Sequence, residues 1–128
     1  MPEPEHIIQA ICNDPRHARG KVAKVATFGR FTFPHGEVRW LILDAGEWRY
    51  TRPDPTGVYR RYGAHDEDRG STYVWPCKLC PRSLEVTEIT LRRVLEDTYQ
   101  GLLKTTGNER VSQVPITVLR QVASRQPR

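Results

Sequence analysis

The 128-residue chain lacks any apolar run approaching the roughly 20 residues a membrane-spanning helix requires. Its first residues, MPEPEHIIQAICND, are acidic where a secretory leader is basic, and their apolar run is short. The expectation is a soluble, cytoplasmic protein with no membrane partner. Hydrophobic residues make up only 38% of the chain, a modest supply for a core, so a cross-link or metal would supplement it. There is no internal repeat, Gly-rich phosphate loop, Ser-His-Asp order or His-Glu-x-x-His helix. These absences weigh against the commonest hydrolytic and nucleotide-binding chemistries. Cysteines number three, an odd count that a simple disulfide framework would not use up. In a reducing compartment such thiols favour metal or redox chemistry.

What is present is arginine. Of 20 basic residues 16 are Arg, and the formal net charge is +5. Guanidinium forks suit phosphate and carboxylate, which permits a nucleic acid or an acidic protein surface as partner. A GC-rich host or its phage would produce the same bias through codon usage alone.

The first half reads as strands separated by turns. His6 to Ile11 is a short apolar stretch ending at Cys12, and Val25 to Phe33 alternates as a strand that bends at Gly29. Pro34-His35-Gly36 links it to Glu37–Leu43 as a hairpin, and Asp44-Ala45-Gly46 turns into Glu47–Thr51. Val58 to Tyr62 offers a further strand, Gly63 to Ser71 an exposed loop, and Thr72 to Trp75 another strand. Helical spacing starts at Thr87, a candidate N-cap, with Gly107 as a stop. Pro115 can open a shorter helix carrying Ile116, Leu119 and Val122. The expected fold is α+β: an antiparallel β-sheet in the first two thirds, followed by one long and one short C-terminal helix. The whole chain, 1–128, is expected to form one domain with a flexible tail at 124–128.

Two short segments carry metal-ligand chemistry. Cys12 and His17 are separated by four residues, and Cys77 and Cys80 lie in Trp-Pro-Cys-Lys-Leu-Cys-Pro. Together they form a Cys3His set, a frequent composition for structural zinc. Each pair follows a strand-like run, His6–Ile11 or Thr72–Trp75, and two such strands side by side would deliver both loops to one place. A Cys-x-x-Cys turn aims both sulfurs into one cavity while backbone amides turn toward them. Lys78 adds positive charge beside the thiolates, and Arg16 does the same next to His17. His6 and Asp14 are substitute ligands should His17 turn away. The two loops with their preceding strands resemble those of a zinc ribbon, and that resemblance implies a closed, zinc-stapled site. The 59 residues between the loops depart from a minimal ribbon.

Three competing readings stand beside the metal. The Trp-Pro-Cys-x-x-Cys neighbourhood looks like a thioredoxin-type redox motif, which requires a helix starting at the first cysteine. The thiols can also be packed without metal. His35 and His65, the latter beside Asp66, Glu67 and Asp68, offer a weaker hydrolytic site. Finally, Trp48 to Tyr62 interleaves cations with rings. Arg49, Arg52, Tyr59, Arg60 and Arg61 are candidate contacts to single-stranded nucleic acid or another partner. Core-facing rings with solvated arginines are the simpler reading of that stretch. The expected role is a zinc-stabilised binding protein that contacts nucleic acid or its associated complexes. The alternative is a protein-interaction adaptor, such as a phage-encoded or host regulatory factor, and an enzyme is the less favoured class.

Overall fold

The computed structural model describes residues 3–50, 72–105 and 109–125, with the side chains of Tyr50, Glu88 and Ile89 set aside. Among the described residues, seven strands and two α-helices follow in chain order: β1 (His6–Cys12), β2 (Ala23–Thr32), β3 (Val38–Asp44), β4 (Glu47–Tyr50), β5 (Thr72–Pro76), β6 (Ser83–Thr87), α1 (Glu88–Thr105), β7 (Val111–Pro115) and α2 (Ile116–Ser124). The chain is α+β, as its periodicity predicts.

Strand order in the larger sheet is β4-β3-β2-β1-β7, and β5 pairs with β6 in a separate two-stranded sheet. Both predicted hairpins form. The β2–β3 turn is closed by Gly36 N–H to the Phe33 carbonyl, 2.8 Å. At the β3–β4 turn Ala45 and Gly46 both take positive φ (50° and 82°), the geometry that matches the twist of a two-residue hairpin.

The sheet departs from the expected antiparallel arrangement at one place. β7 lies parallel to β1, with Ile8 opposite Ser112 and Ala10 opposite Val114. A parallel neighbour needs a long crossover, and the segment containing β5, β6 and α1 lies within the connection leading to β7. The strands before the two cysteine loops also differ from expectation. β1 and β5 belong to different sheets, so the loops meet across the junction between sheets.

Ile8, Phe28 and Ile42 share one face of the larger sheet, and Tyr73, Trp75, Leu84 and Val86 of the smaller sheet join the same core. Leu91, Val94 and Leu95 of α1 and Ile116, Leu119 and Val122 of α2 complete it. Trp75 stacks on Tyr73 at 5.2 Å and meets Phe28 edge-on at 5.3 Å. It thereby ties the delivering strand β5 to the larger sheet. Thr87 caps α1 as expected, its hydroxyl accepting the Thr90 N–H at 3.2 Å. Arg93 of α1 donates to the carbonyls of Val122 and Ala123, satisfying the end of α2.

The opposite sheet face carries Gly29, Phe31, Leu41 and Trp48, since residues alternate along each strand. Gly29 is there because Trp48 is: a Cβ on Gly29 would lie 2.8 Å from the indole ring. Its place in the strand reflects this close approach. Residues 58–62, the Gly63–Ser71 loop, Gly107 and 126–128, with the strand, loop, helix stop and tail expected there, lie outside the described residues.

Candidate metal centre

Cys12 is the last residue of β1, and Ala23, its pairing partner, lies on β2. The chain between them makes a compact loop. His17 N–H donates to the Asp14 carbonyl at 3.0 Å, and Arg19 and Gly20 then adopt left-handed backbone (φ 57° and 66°). That reversal places the Lys21 carbonyl 2.8 Å from His17 Nδ1. On the other side, β5 ends at Pro76 and Cys77 to Pro81 form a tight bend. Cys77 N–H donates to the Arg82 carbonyl at 2.8 Å, which closes the bend before β6.

The four predicted ligands come together. One ligand atom from each of Cys12, His17, Cys77 and Cys80 lies within 4.8 Å of all the others. Cys12 Sγ is 3.6 Å from Cys80 Sγ, and His17 Nε2 is 3.6 Å from Cys12 Sγ and 3.4 Å from Cys77 Sγ. Tetrahedral zinc with ordinary Zn–S and Zn–N bonds has edges of about 3.6–3.8 Å, so these three edges are close to those around the ion, and the remaining ones stay within 4.8 Å. Cys12, His17 and Cys77 are 2%, 3% and 7% exposed, and Cys80 is half-buried.

The backbone supports negative sulfur. Leu79 N–H donates to Cys77 Sγ at 3.4 Å. The amides of Asp14 and Arg82 likewise serve Cys12 and Cys80. Each cysteine therefore receives the N–H two residues ahead, the arrangement that steadies a thiolate after coordination. Burial, above all, pushes the Cys12 thiol up to about 11, and the neighbouring sulfurs of Cys80 and Cys77 add to the rise. For Cys80, burial again opposes ionisation. The Arg82 amide and the His17, Cys12 and Cys77 side chains outweigh it and bring the thiol down to about 7. Sulfurs this close resist ionising together, and a bound dication removes that penalty. The His17 pKa is raised, by the Cys80 sulfur first and the Lys21 carbonyl second. The donor set thus fits a soft-to-borderline cation.

Asp14, expected as a substitute ligand, has another task. Its buried carboxylate accepts the Arg16 backbone N–H at 2.9 Å and the Arg16 guanidinium at 2.8 Å. It also pairs with Arg82 Nε at 2.8 Å. Hydrogen bonds from Arg16 hold its pKa well below the usual carboxylate range. Asp14 so joins the first ligand loop to the residue following the second. Sequence reasoning missed this role, although Asn-Asp-Pro-Arg is turn chemistry that presents a carboxylate to nearby donors. His6, the other substitute, sits at the far end of β1 from Cys12, about 20 Å along an extended strand.

The competing sites fare differently. No helix starts at Cys77, where a thioredoxin-type motif requires one, and α1 begins only at Glu88. His35 is on an exposed turn beside Glu37. Arg49 pairs with Asp44 at 3.2 Å and with Glu47 at 3.4 Å, so local acids already engage its charge. Arg52, Tyr59, Arg60, Arg61 and His65 lie outside the described residues. Among the described residues, no helix is long and apolar enough to cross a membrane.

No protein-family model matches the chain, and no curated protein or solved structure matches it at a significant level. The Cys/His cluster agrees with a zinc-binding module.

Proposed function

We propose that Cys12, His17, Cys77 and Cys80 bind one zinc ion, which staples the two sheets, and that the resulting domain is a non-catalytic nucleic-acid-binding module. The observation that carries the zinc assignment is the quartet itself, with its ligand atoms within 4.8 Å and an amide serving each sulfur. Three thiolates and an imidazole select zinc over hard cations. Four protein ligands leave no open position for water, which makes the site structural. Such an ion contributes on the order of 10 kcal/mol to folding, comparable with the net stability of a whole domain.

The nucleic-acid reading is supported by the net charge of +5 and the abundance of arginine. In it, Arg52, Tyr59, Arg60 and Arg61 contribute phosphate and stacking contacts, while Arg49 chiefly orders the β3–β4 turn through Asp44 and Glu47. Elemental analysis of the purified protein tests the metal and should return about one zinc per chain. Metal-free protein in which Cys77 and Cys80 oxidise freely would overturn it. Salt-dependent binding of the zinc-loaded protein to nucleic-acid probes tests the role. Failure to bind, with capture of one stoichiometric protein partner, would favour the adaptor instead.

A further inference from the structure

The loops that build the metal centre are the most basic part of the described structure. Residues 13–24 and 76–82 hold six cations, Arg16, Arg19, Lys21, Lys24, Lys78 and Arg82, against a single carboxylate, Asp14. Every one of the six lies close to a ligand in sequence or pairing. Lys78 adjoins Cys77, Arg82 follows Cys80 by two residues, and Lys24 pairs across from Ile11 at the same end of the sheet, on the face opposite Cys12 and Ala23.

Local charge balance separates them into two groups. Three thiolates and a neutral imidazole around a dication carry one net negative charge, and Asp14 adds another. Arg16 and Arg82, both bonded to Asp14, offset those two charges. Arg19, Lys21, Lys24 and Lys78 are left over. All four are exposed, and among the described residues none has an acidic partner. These four charges face solvent and are available to an external anion.

Two features distinguish the anion. Protein interfaces deplete lysine and use aromatic anchors, whereas three of these four cations are Lys and neither loop contains an aromatic residue. The exposed apolar groups are single side chains, Leu79 at the tip of the Cys77–Cys80 bend and Val22. Lacking rings, these two loops offer no platform on which bases could stack. Point charges suit phosphate oxygens, which position a duplex without reading its sequence.

We propose that the metal-bearing end is the surface that grips the phosphate backbone of duplex nucleic acid, with Arg19, Lys21, Lys24 and Lys78 as its contacts. This rests on the nucleic-acid reading above and relocates its main electrostatic contact from the Arg52–Arg61 segment to the zinc loops. The zinc then has a second use, because it fixes the spacing of cations on two loops from different sheets.

The test is fluorescence anisotropy of the zinc-loaded full chain with a random-sequence duplex and a matching single strand across a salt series. Four phosphate contacts predict a logarithmic salt slope of about −3.6 on duplex, an affinity loss on the order of 150-fold between about 50 and about 200 mM salt. The Lys21→Gln/Lys24→Gln/Lys78→Gln variant keeps every ligand and should flatten that slope by about three. Its zinc content and circular dichroism establish that it folds, and Lys78→Gln alone serves should the triple variant misfold. An unchanged slope in the folded variant, or binding confined to single strands, overturns the placement while leaving nucleic-acid binding intact. In the first case the Arg52→Gln/Arg60→Gln/Arg61→Gln variant would be the one to lose affinity. No binding by the wild-type chain to either probe at low salt overturns the nucleic-acid reading itself and this placement with it.

Discussion

His17 Nδ1 donates to the carbonyl of Lys21 across 2.8 Å, and this single bond decides which ring nitrogen faces the sulfurs. With the proton held on Nδ1, the Nε2 lone pair points at Cys12 and Cys77. His17→Ala should therefore lose metal at a chelator concentration at least tenfold lower than wild type, whereas His17→Cys restores a fourth ligand and recovers much of the difference. Metal content after dialysis against graded chelator measures both. Equal retention by the alanine variant would remove His17 from the ligand set.

Asp14 bonds both Arg16 and Arg82, and so fixes the first ligand loop against the end of the second. Outer groups of this kind commonly govern metal affinity by about 10–100-fold, and Asp14→Asn should fall in that range. Its depressed pKa sets the pH behaviour. A carboxyl whose folded pKa is lowered stabilises the fold above its unfolded pKa of about 3.9, and the contribution disappears only as pH falls through the folded value. The affinity gap between wild type and Asp14→Asn should thus stay constant between about pH 6 and 8 in zinc titrations corrected for ligand protonation. A gap that closes within that window would assign Asp14 a different role.

The metal quartet was legible because soft ligands are rare in this chain and two closely spaced groups used every cysteine. Helices α1 and α2 were equally legible from Thr87 and Pro115, which stop one pattern and start another. β6 and β7 were not. Ser83–Thr87 alternates cleanly, with Leu84 and Val86 inward, but it fits within the short gap between the cysteine bend and the α1 cap. Val111–Pro115 hides its inward face, since buried Ser112 is polar and apolar Val111 is exposed. The parallel β1–β7 pairing is non-local, and no short-range pattern encodes it. The bond from Asp14 to Arg82 was hidden for a related reason: the two are 68 residues apart, and only the fold brings them together.

His6 gives the second pH prediction. Its ring is buried against Tyr99, at 5.1 Å between centroids, and among the described residues Nε2 has no hydrogen-bond partner. Burial chiefly lowers its pKa and the Arg30 charge helps, while the Glu109 carbonyl and Glu5 oppose. The unfolded chain then binds more protons than the folded one between the depressed pKa and about 6.5, so stability rises with pH across that interval and levels off above it. Denaturant unfolding from about pH 5 to 7.5, in excess zinc, should show a steeper slope for wild type than for His6→Leu. Identical slopes would show that His6 does not contribute, leaving proton competition at the thiolates as the source of acid sensitivity.

Gly29 and Trp48 make the packing prediction. A Cβ added at Gly29 would sit 2.8 and 2.9 Å from two indole carbons and 3.1 Å from the Phe31 ring. Trp48 meets Phe31 edge-on at 5.3 Å, so the indole cannot retreat without giving up that contact. Gly29→Ala should cost about 1–3 kcal/mol by overpacking, despite alanine's better strand entropy. In a Trp48→Leu background the obstruction is gone, and the same substitution should cost under about 1 kcal/mol. The coupling from a double-mutant cycle, read by denaturant unfolding of zinc-loaded protein, isolates the clash. Additive effects would mean that Gly29 is needed for its own backbone, as a bend in β2, and not for the space it yields to Trp48.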